Sequence, residues 1–310
     1  MVYNIDEKES ALEDLASFFF ENRLPSKEWR KRSNTLLVKL FFDLCGIFKI
    51  ASFVECGAHS AEASRQFMAD RGGIAIALEA NPFTFRKLTK PAEKYGVIVK
   101  NLGAGTAAGM RTLHIPNPLR LDCPVTSTAS FSRRTSGKIE YLSLEVKVTT
   151  VDAMVSQYMP MSSVAMWIDV EGHGMDILLG AKNTLSSGRC PLVFIETENY
   201  LYWEKQSLSA DIRNYLAGYN YLPVARDEEW NNQFNYIFIR ESSCQQVKNM
   251  IDSYWKAALR KDRLLIAGLK FLHAMRISKT FVKIIVRRAL KKVLGERWFS
   301  AVRARWKSII

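Results

Sequence analysis

Cysteine is scarce and unpaired in this chain. Cys45, Cys56, Cys123, Cys190 and Cys244 make five, an odd number, widely spaced and without a CxxC pair. That pattern excludes a disulfide framework and a structural zinc site, and it suits a reducing cytoplasm. Long apolar runs are missing too. The most apolar early stretch, Leu36 to Ile50, is interrupted by Lys39, Asp43 and Lys49, so no transmembrane helix is expected. Met1 to Glu9 has no basic segment leading into an apolar core, so no secretory signal is expected either. Internal repeats and low-complexity tracts are absent. So is a Gly-x-Gly-x-x-Gly turn, which disfavours a nicotinamide-dependent oxidoreductase.

What is present is enough to bury one large core, or one core and a smaller accessory piece: 310 residues, 48% hydrophobic. The net charge of +13 is carried almost wholly by one end. Lys256 to Ile310 holds 16 basic and 2 acidic residues, whereas residues 1–255 hold 28 basic against 29 acidic, a net charge of −1. The body therefore gives no reason to expect nucleic acid as a partner of an active site.

The apolar pattern divides the chain into a helical segment over residues 1–50, an α/β domain over 51–241 and a basic helical region over 242–310. In the first, Ala11, Leu12, Leu15, Phe18 and Phe19 recur at helical spacing, Pro25-Ser26 forms a break, and a second apolar face follows from Leu36. In the second, Ala51–Glu55, Ile74–Glu79, Val97–Asn101, Val164–Asp169 and Leu192–Glu196 read as strands. Ala61–Asp70, Phe83–Lys94, Met175–Ser186 and Leu208–Leu216 read as the helices between them. Strands that are apolar nearly throughout are covered on both faces, so the expected fold is α/β, a Rossmann-like, doubly wound, mostly parallel sheet. Residues 103–150 lapse into Gly, Pro, Ser and Thr around short strand-like pieces at Arg111–Ile115 and Leu142–Val148. This is expected to be a substrate-side insertion. Asn235–Arg240 is expected as a final edge strand.

Two segments carry the chemistry of a nucleoside site. Phe53-Val54-Glu55-Cys56-Gly57-Ala58-His59 is a strand ending in an acid and a small-residue turn, and Leu78-Glu79-Ala80-Asn81 ends a second strand about twenty residues on. Gly57 and Ala58 let the backbone pass close to a ligand at the start of a helix. Glu79 can accept hydrogen bonds from both hydroxyls of a ribose, because a carboxylate has two acceptor oxygens and no donor. A second cluster, Ile168-Asp169-Val170-Glu171-Gly172-His173, sets two carboxylates and an imidazole at a strand end, able to position a hydroxyl, remove its proton or hold a cation. Leu192–Glu198 brings Glu196 to the same edge. No spacing establishes a metal site.

The order of these segments, with Asn101-Leu102-Gly103-Ala104, Thr149-Thr150-Val151-Asp152, Leu178-Leu179-Gly180-Ala181 and Phe194-Ile195-Glu196, resembles the FkbM family of S-adenosylmethionine-dependent methyltransferases over roughly residues 51–240. The resemblance implies a class I methyltransferase fold, S-adenosylmethionine as cofactor, and O-methylation of a hydroxyl on a sugar, a glycan or another small molecule. It implies that Glu55, Gly57, Ala58 and His59 face the methionine part of the cofactor, that Glu79 takes the ribose, and that Asn81 and Asn101 lie near the adenine. Asp169 and Glu171 are implied where donor and acceptor meet. Departures from the family pattern are Glu55 for Asp, His59 for Asn, Ala61 for Gly, Trp167 for Lys and Gly174 for an acid. A non-catalytic scaffold is the alternative they leave open.

His173 is the first candidate general base, oriented by Asp169 or Glu196, with Glu171 second. The aromatic group Tyr200, Tyr202 and Trp203 either walls a sugar face or packs under a loop. In the basic region, Lys279, Lys283, Arg287 and Lys291 recur every four residues beside Ile277, Phe281 and Ile284. Such a helix either lies on an anionic membrane surface, placing the protein peripherally at the inner membrane, or packs on the body or on a second copy in a homo-oligomer.

Overall fold

The computed structural model describes residues 5–6, 8–13, 15, 26–116, 126–230, 232–260 and 267. The amphipathic pattern expected beyond residue 260 lies outside the described residues, apart from position 267. Among the described residues the strands are β1 (Ser52–Cys56), β2 (Ile74–Leu78), β3 (Ile98–Lys100), β4 (Gly103–Ala104), β5 (Gly109–Pro116), β6 (Tyr141–Thr149), β7 (Val164–Ile168), β8 (Leu192–Glu198), β9 (Tyr221–Arg226) and β10 (Gln233–Arg240). Seven of them form one sheet in the order β3-β2-β1-β7-β8-β10-β9, and β4-β6-β5 form a second. From β3 to β8 every pairing is parallel, while β10 runs antiparallel to both of its neighbours. The strand order reverses between β1 and β7, so a crevice opens there at the carboxyl ends of the strands.

β1, β7 and β8 are buried at every position, as strands covered on both faces must be. Alternate side chains feed two cores. On one face Phe53, Trp167 and Phe194 meet helix α1 (Ser26–Ile47), helix α2 (Glu62–Arg71) and the last described helix, Cys244–Ala258. Leu37, Phe41 and Leu44, one turn apart along α1, are fully buried, and the Phe41 ring stands edge-on to Phe53, Trp167 and Phe194. Full burial of each such side chain contributes about 1.5–3 kcal/mol. On the other face Val54, Met166 and Ile195 meet helices α3 (Val151–Tyr158), α4 (Gly174–Leu179), α5 (Lys182–Ser186) and α6 (Ser209–Ala217).

Two expectations are corrected. Asn235–Arg240 is not at the edge: β10 inserts between β8 and β9, and the edge strand is β9. β9 carries Pro223, which cannot donate to a ladder and sits where the register with β10 shifts, as a proline on an edge strand does. The single helix expected over Met175–Ser186 is two helices, broken at Gly180-Ala181. Gly180 packs on the insertion so closely that a Cβ there would stand 2.0 Å from the Gly105 carbonyl oxygen. The second piece starts on Asp152, whose carboxylate accepts from Asn183 N at 2.9 Å and Thr184 N at 2.8 Å. The insertion is an antiparallel β5–β6 pair joined by β4, and its segment 126–131 reaches back over the crevice. No helix among the described residues is long and apolar enough to cross a membrane.

Candidate active site

The turn after β1 is built by backbone conformations that side chains resist. Gly57 (φ 82°), His59 (φ 45°) and Ala61 (φ 54°) all lie in the left-handed region, which costs a non-glycine residue roughly 1–2 kcal/mol. Gly57 has no alternative, because a Cβ would stand 1.9 Å from the carbonyl oxygen of Asp169. His59 is held from both sides. Its N–H donates to Glu79 Oε2 at 2.9 Å, and its carbonyl accepts from the Thr89 hydroxyl at 2.5 Å. Glu79 Oε1 accepts from Asn81 N at 2.7 Å. Each oxygen of Glu79 thus serves one backbone donor and keeps a second lone pair. Burial pushes the Glu79 carboxyl up to about 7.

A cleft of about 650 Å³, including its mouth, occupies the crevice. Gly57, His59, Glu79, Asp169, Glu171 and His173 line it, together with Leu102, Ile177 and the insertion residues Ser130 and Phe131. Glu55, Ala58, Asn81, Asn101 and Glu196 stand outside that lining. Glu55 is buried and accepts from Ser64 N at 2.9 Å, so it braces the first turn of α2; burial raises it to about 7. Ala58 is buried in the turn. Asn81 is buried and caps the following helical turn through Phe83 N and Thr84 N, while Asn101 Nδ2 donates to the carbonyls of Glu79 and Ala80 at 2.8 and 3.2 Å. These two amides hold the shape of the wall behind Glu79.

The acids at the ends of β7 and β8 form one group. Asp169 is exposed and lines the crevice, and its neighbour Glu196 is buried and accepts from Gln233 Nε2. Desolvation and the neighbouring carboxylates Glu229 and Glu171 raise Asp169 well above the usual aspartate range. Glu171, Glu196 and Glu198 are raised as well, by burial first and then by neighbouring acids: Glu198 and Glu229 act on Glu171, Asp169 on Glu196 and Glu198. No group of three or more His, Cys, Asp or Glu side chains among the described residues is arranged to hold a metal ion.

His173 has a different orienting partner from the one expected. Its Nδ1 lies 3.2 Å from Asp176 Oδ2, which also accepts from Arg111 Nη1 at 2.8 Å. His173 and Arg111 hold Asp176 down at about 2. The spacing His-x-x-Asp at a helix start was the sequence signal, three residues apart and on one face. Arg111, on β5 of the insertion, had none. Among the described residues His173 Nε2 is shut away from solvent and has no hydrogen-bond partner, with the Phe131 ring edge-on to the imidazole at 5.6 Å. Trp203 is buried against Gly172, where a Cβ would stand 2.6 Å from it, so of the aromatic trio it serves packing; Tyr200 is exposed. His114 pairs with Ser143 Oγ at 3.0 Å on the outer insertion sheet.

Among solved structures, the chain is similar to TrmK of M. capricolum in complex with S-adenosyl-homocysteine, at 12% identity and a TM-score of 0.33, covering 84% of this chain and 98% of that one. Similarity extends to a Geobacter metallireducens precorrin-6y C5,15-methyltransferase at 12% identity, TM-score 0.32 and coverage of 61% and 79%. A Burkholderia thailandensis 1,6-didemethyltoxoflavin-N1-methyltransferase is similar at 9% identity, TM-score 0.35 and coverage of 77% and 92%. No curated protein sequence matches the chain. The methyltransferase FkbM domain model matches residues 55–223, more than half of the chain, from the first acid-turn segment to the start of β9. With its Rossmann-like sheet, its crevice at the strand-order reversal and this match, the chain belongs to the FkbM methyltransferase family.

Proposed function

We propose that this chain transfers the methyl group of S-adenosylmethionine to a hydroxyl of a sugar, glycan or other small-molecule acceptor. The observation that carries the reading is the shared lining of one cleft by Glu79, at the end of β2, and Asp169, at the end of β7. The lining suits the cofactor. Glu79 keeps lone pairs for a sugar diol, His173 Nε2 is a buried polar atom in need of a partner, and Leu102 and Ile177 offer apolar surface to a nucleobase.

Bound there, S-adenosylmethionine would supply a methyl group already activated on a sulfonium. The protein then has to align the acceptor oxygen and remove its proton. Asp169 is assigned the proton: it faces the crevice, and its raised basicity makes it a better acceptor than an ordinary aspartate. Glu196, its buried neighbour in the acid group, takes the proton on from it. His173, walled in beside Phe131, holds the cofactor side instead of reaching an acceptor. Calorimetric titration with S-adenosylmethionine, with NADH as control, tests the reading. Heat with the first alone is expected; heat with NADH alone would make the chain an oxidoreductase, and heat with neither a scaffold.

A further inference from the structure

On the other side of Asp169 lies a second, larger cleft. It has a volume of about 1260 Å³ including its open mouth, and it runs between α1 and α2 over the ends of β7, β8 and β10. Its floor is the edge of an aromatic stack in which Trp167 lies parallel to Phe194 at 3.6 Å and to Phe42 at 6.1 Å. Five carboxyl side chains line it, Asp43 from α1, Glu62 and Asp70 from α2, Asp169, and Glu229 ahead of β10. The one basic side chain in that lining, Lys39, is bonded to Asp43 at 2.6 Å.

Asp169 belongs to the lining of both clefts, so the two meet at the group assigned to take the proton. A transfer between two substrates needs two approaches to one point, and the cofactor accounts for only the first. The acidity of the second is local, because residues 1–255 carry a net charge of only −1. A cleft lined by one sign of charge between low-dielectric walls focuses its field and selects ligands by charge. Phosphorylated, uronate-bearing or nucleic-acid acceptors are repelled by it. An ammonium group is drawn in, and carboxylates accept from neighbouring hydroxyls. We infer that the acceptor enters through this α1–α2 cleft and is an amine-bearing polyhydroxylated molecule, an amino sugar in chemical class. The inference rests on the methyltransferase reading.

The test titrates the full chain, loaded with S-adenosylhomocysteine, with three trisaccharides: glucosamine trimer (cationic), N-acetylglucosamine trimer (neutral) and galacturonate trimer (anionic). The glucosamine trimer is expected to bind about tenfold more tightly than the neutral one, the scale of two or three screened ion pairs, and to lose that advantage in high salt. The double variant Glu62→Gln, Asp70→Asn changes two exposed side chains of α2 and leaves the core untouched. It is expected to erase the preference while S-adenosylhomocysteine binds as before. Equal binding of the neutral or anionic trimer, no binding of any trimer, or a preference that survives the double variant would overturn the inference. If S-adenosylhomocysteine itself fails to bind, the methyltransferase reading fails instead.

Discussion

Glu79→Gln isolates the carboxylate that carries the cofactor assignment. In the native turn one oxygen accepts from His59 N and the other from Asn81 N, at 2.9 and 2.7 Å, leaving one lone pair on each for a sugar diol. Glutamine keeps the shape but replaces one oxygen with an NH2 group, which must face one of those backbone donors. Above about pH 7, where the Glu79 carboxyl is ionised, two things are lost together, a charged acceptor for the diol and the tether on one side of the turn. Hydrogen bonds to a charged group are worth about 1.5–3 kcal/mol, so the dissociation constant for S-adenosylmethionine should rise roughly 10- to 150-fold. Calorimetry gives the affinity, and circular-dichroism melting shows whether the fold persists. An unchanged affinity in a variant that melts normally would refute the role of Glu79. A collapsed melt would instead show that the carboxylate serves mainly to hold His59 in its left-handed conformation.

Asp169→Asn should cut methyl transfer by about 10²- to 10⁴-fold, the usual range for loss of a general base, with a much smaller effect on cofactor affinity; turnover within about fivefold of native would remove Asp169 from the mechanism. Gly57→Ala forces a Cβ against the Asp169 carbonyl oxygen at 1.9 Å on a backbone at φ +82°, and should destabilise the fold by about 2–4 kcal/mol in denaturant titration. Stability should also fall as pH rises. Burial holds Glu55, Glu79 and Glu198 up at about 7 against an ordinary 4.5, so between those values the folded chain keeps protons that the unfolded chain has released. Stability then declines with pH, by about 1.4 kcal/mol per unit for each fully shifted group, and thermal melts at about pH 5 should exceed those at about pH 8. A melting temperature that rises across that window would contradict the burial of these acids.

The parallel strands were legible because β1, β2, β7 and β8 are apolar at nearly every position, a pattern that burial on both faces produces. β9 was not, because Pro223 interrupts its run and only the pairing with β10 shows that an edge position tolerates it. Glu79 and Asp169 reach the cleft as their strand-end positions imply, since the chain must turn where the sheet stops. The acid at Glu55 looks the same in sequence, yet its side chain is spent on Ser64 N at the start of α2. Asp176 was visible at three-residue spacing from His173, but Arg111, which completes that chain of bonds, is 65 residues away from Asp176 and comes from the insertion. The second cleft had no sequence signature. Asn34 of α1 reaches Asp227 across 193 residues, and only the folded chain brings that helix over the ends of β7 and β8.

A crystal structure of the chain with S-adenosylhomocysteine is the most direct measurement. It should show the ribose hydroxyls donating to Glu79, the base between Leu102 and Ile177 with a hydrogen bond at His173 Nε2, and the sulfur directed toward Asp169. A nucleoside seated elsewhere, or in the same cleft with its sugar turned away from Glu79, would contradict the account.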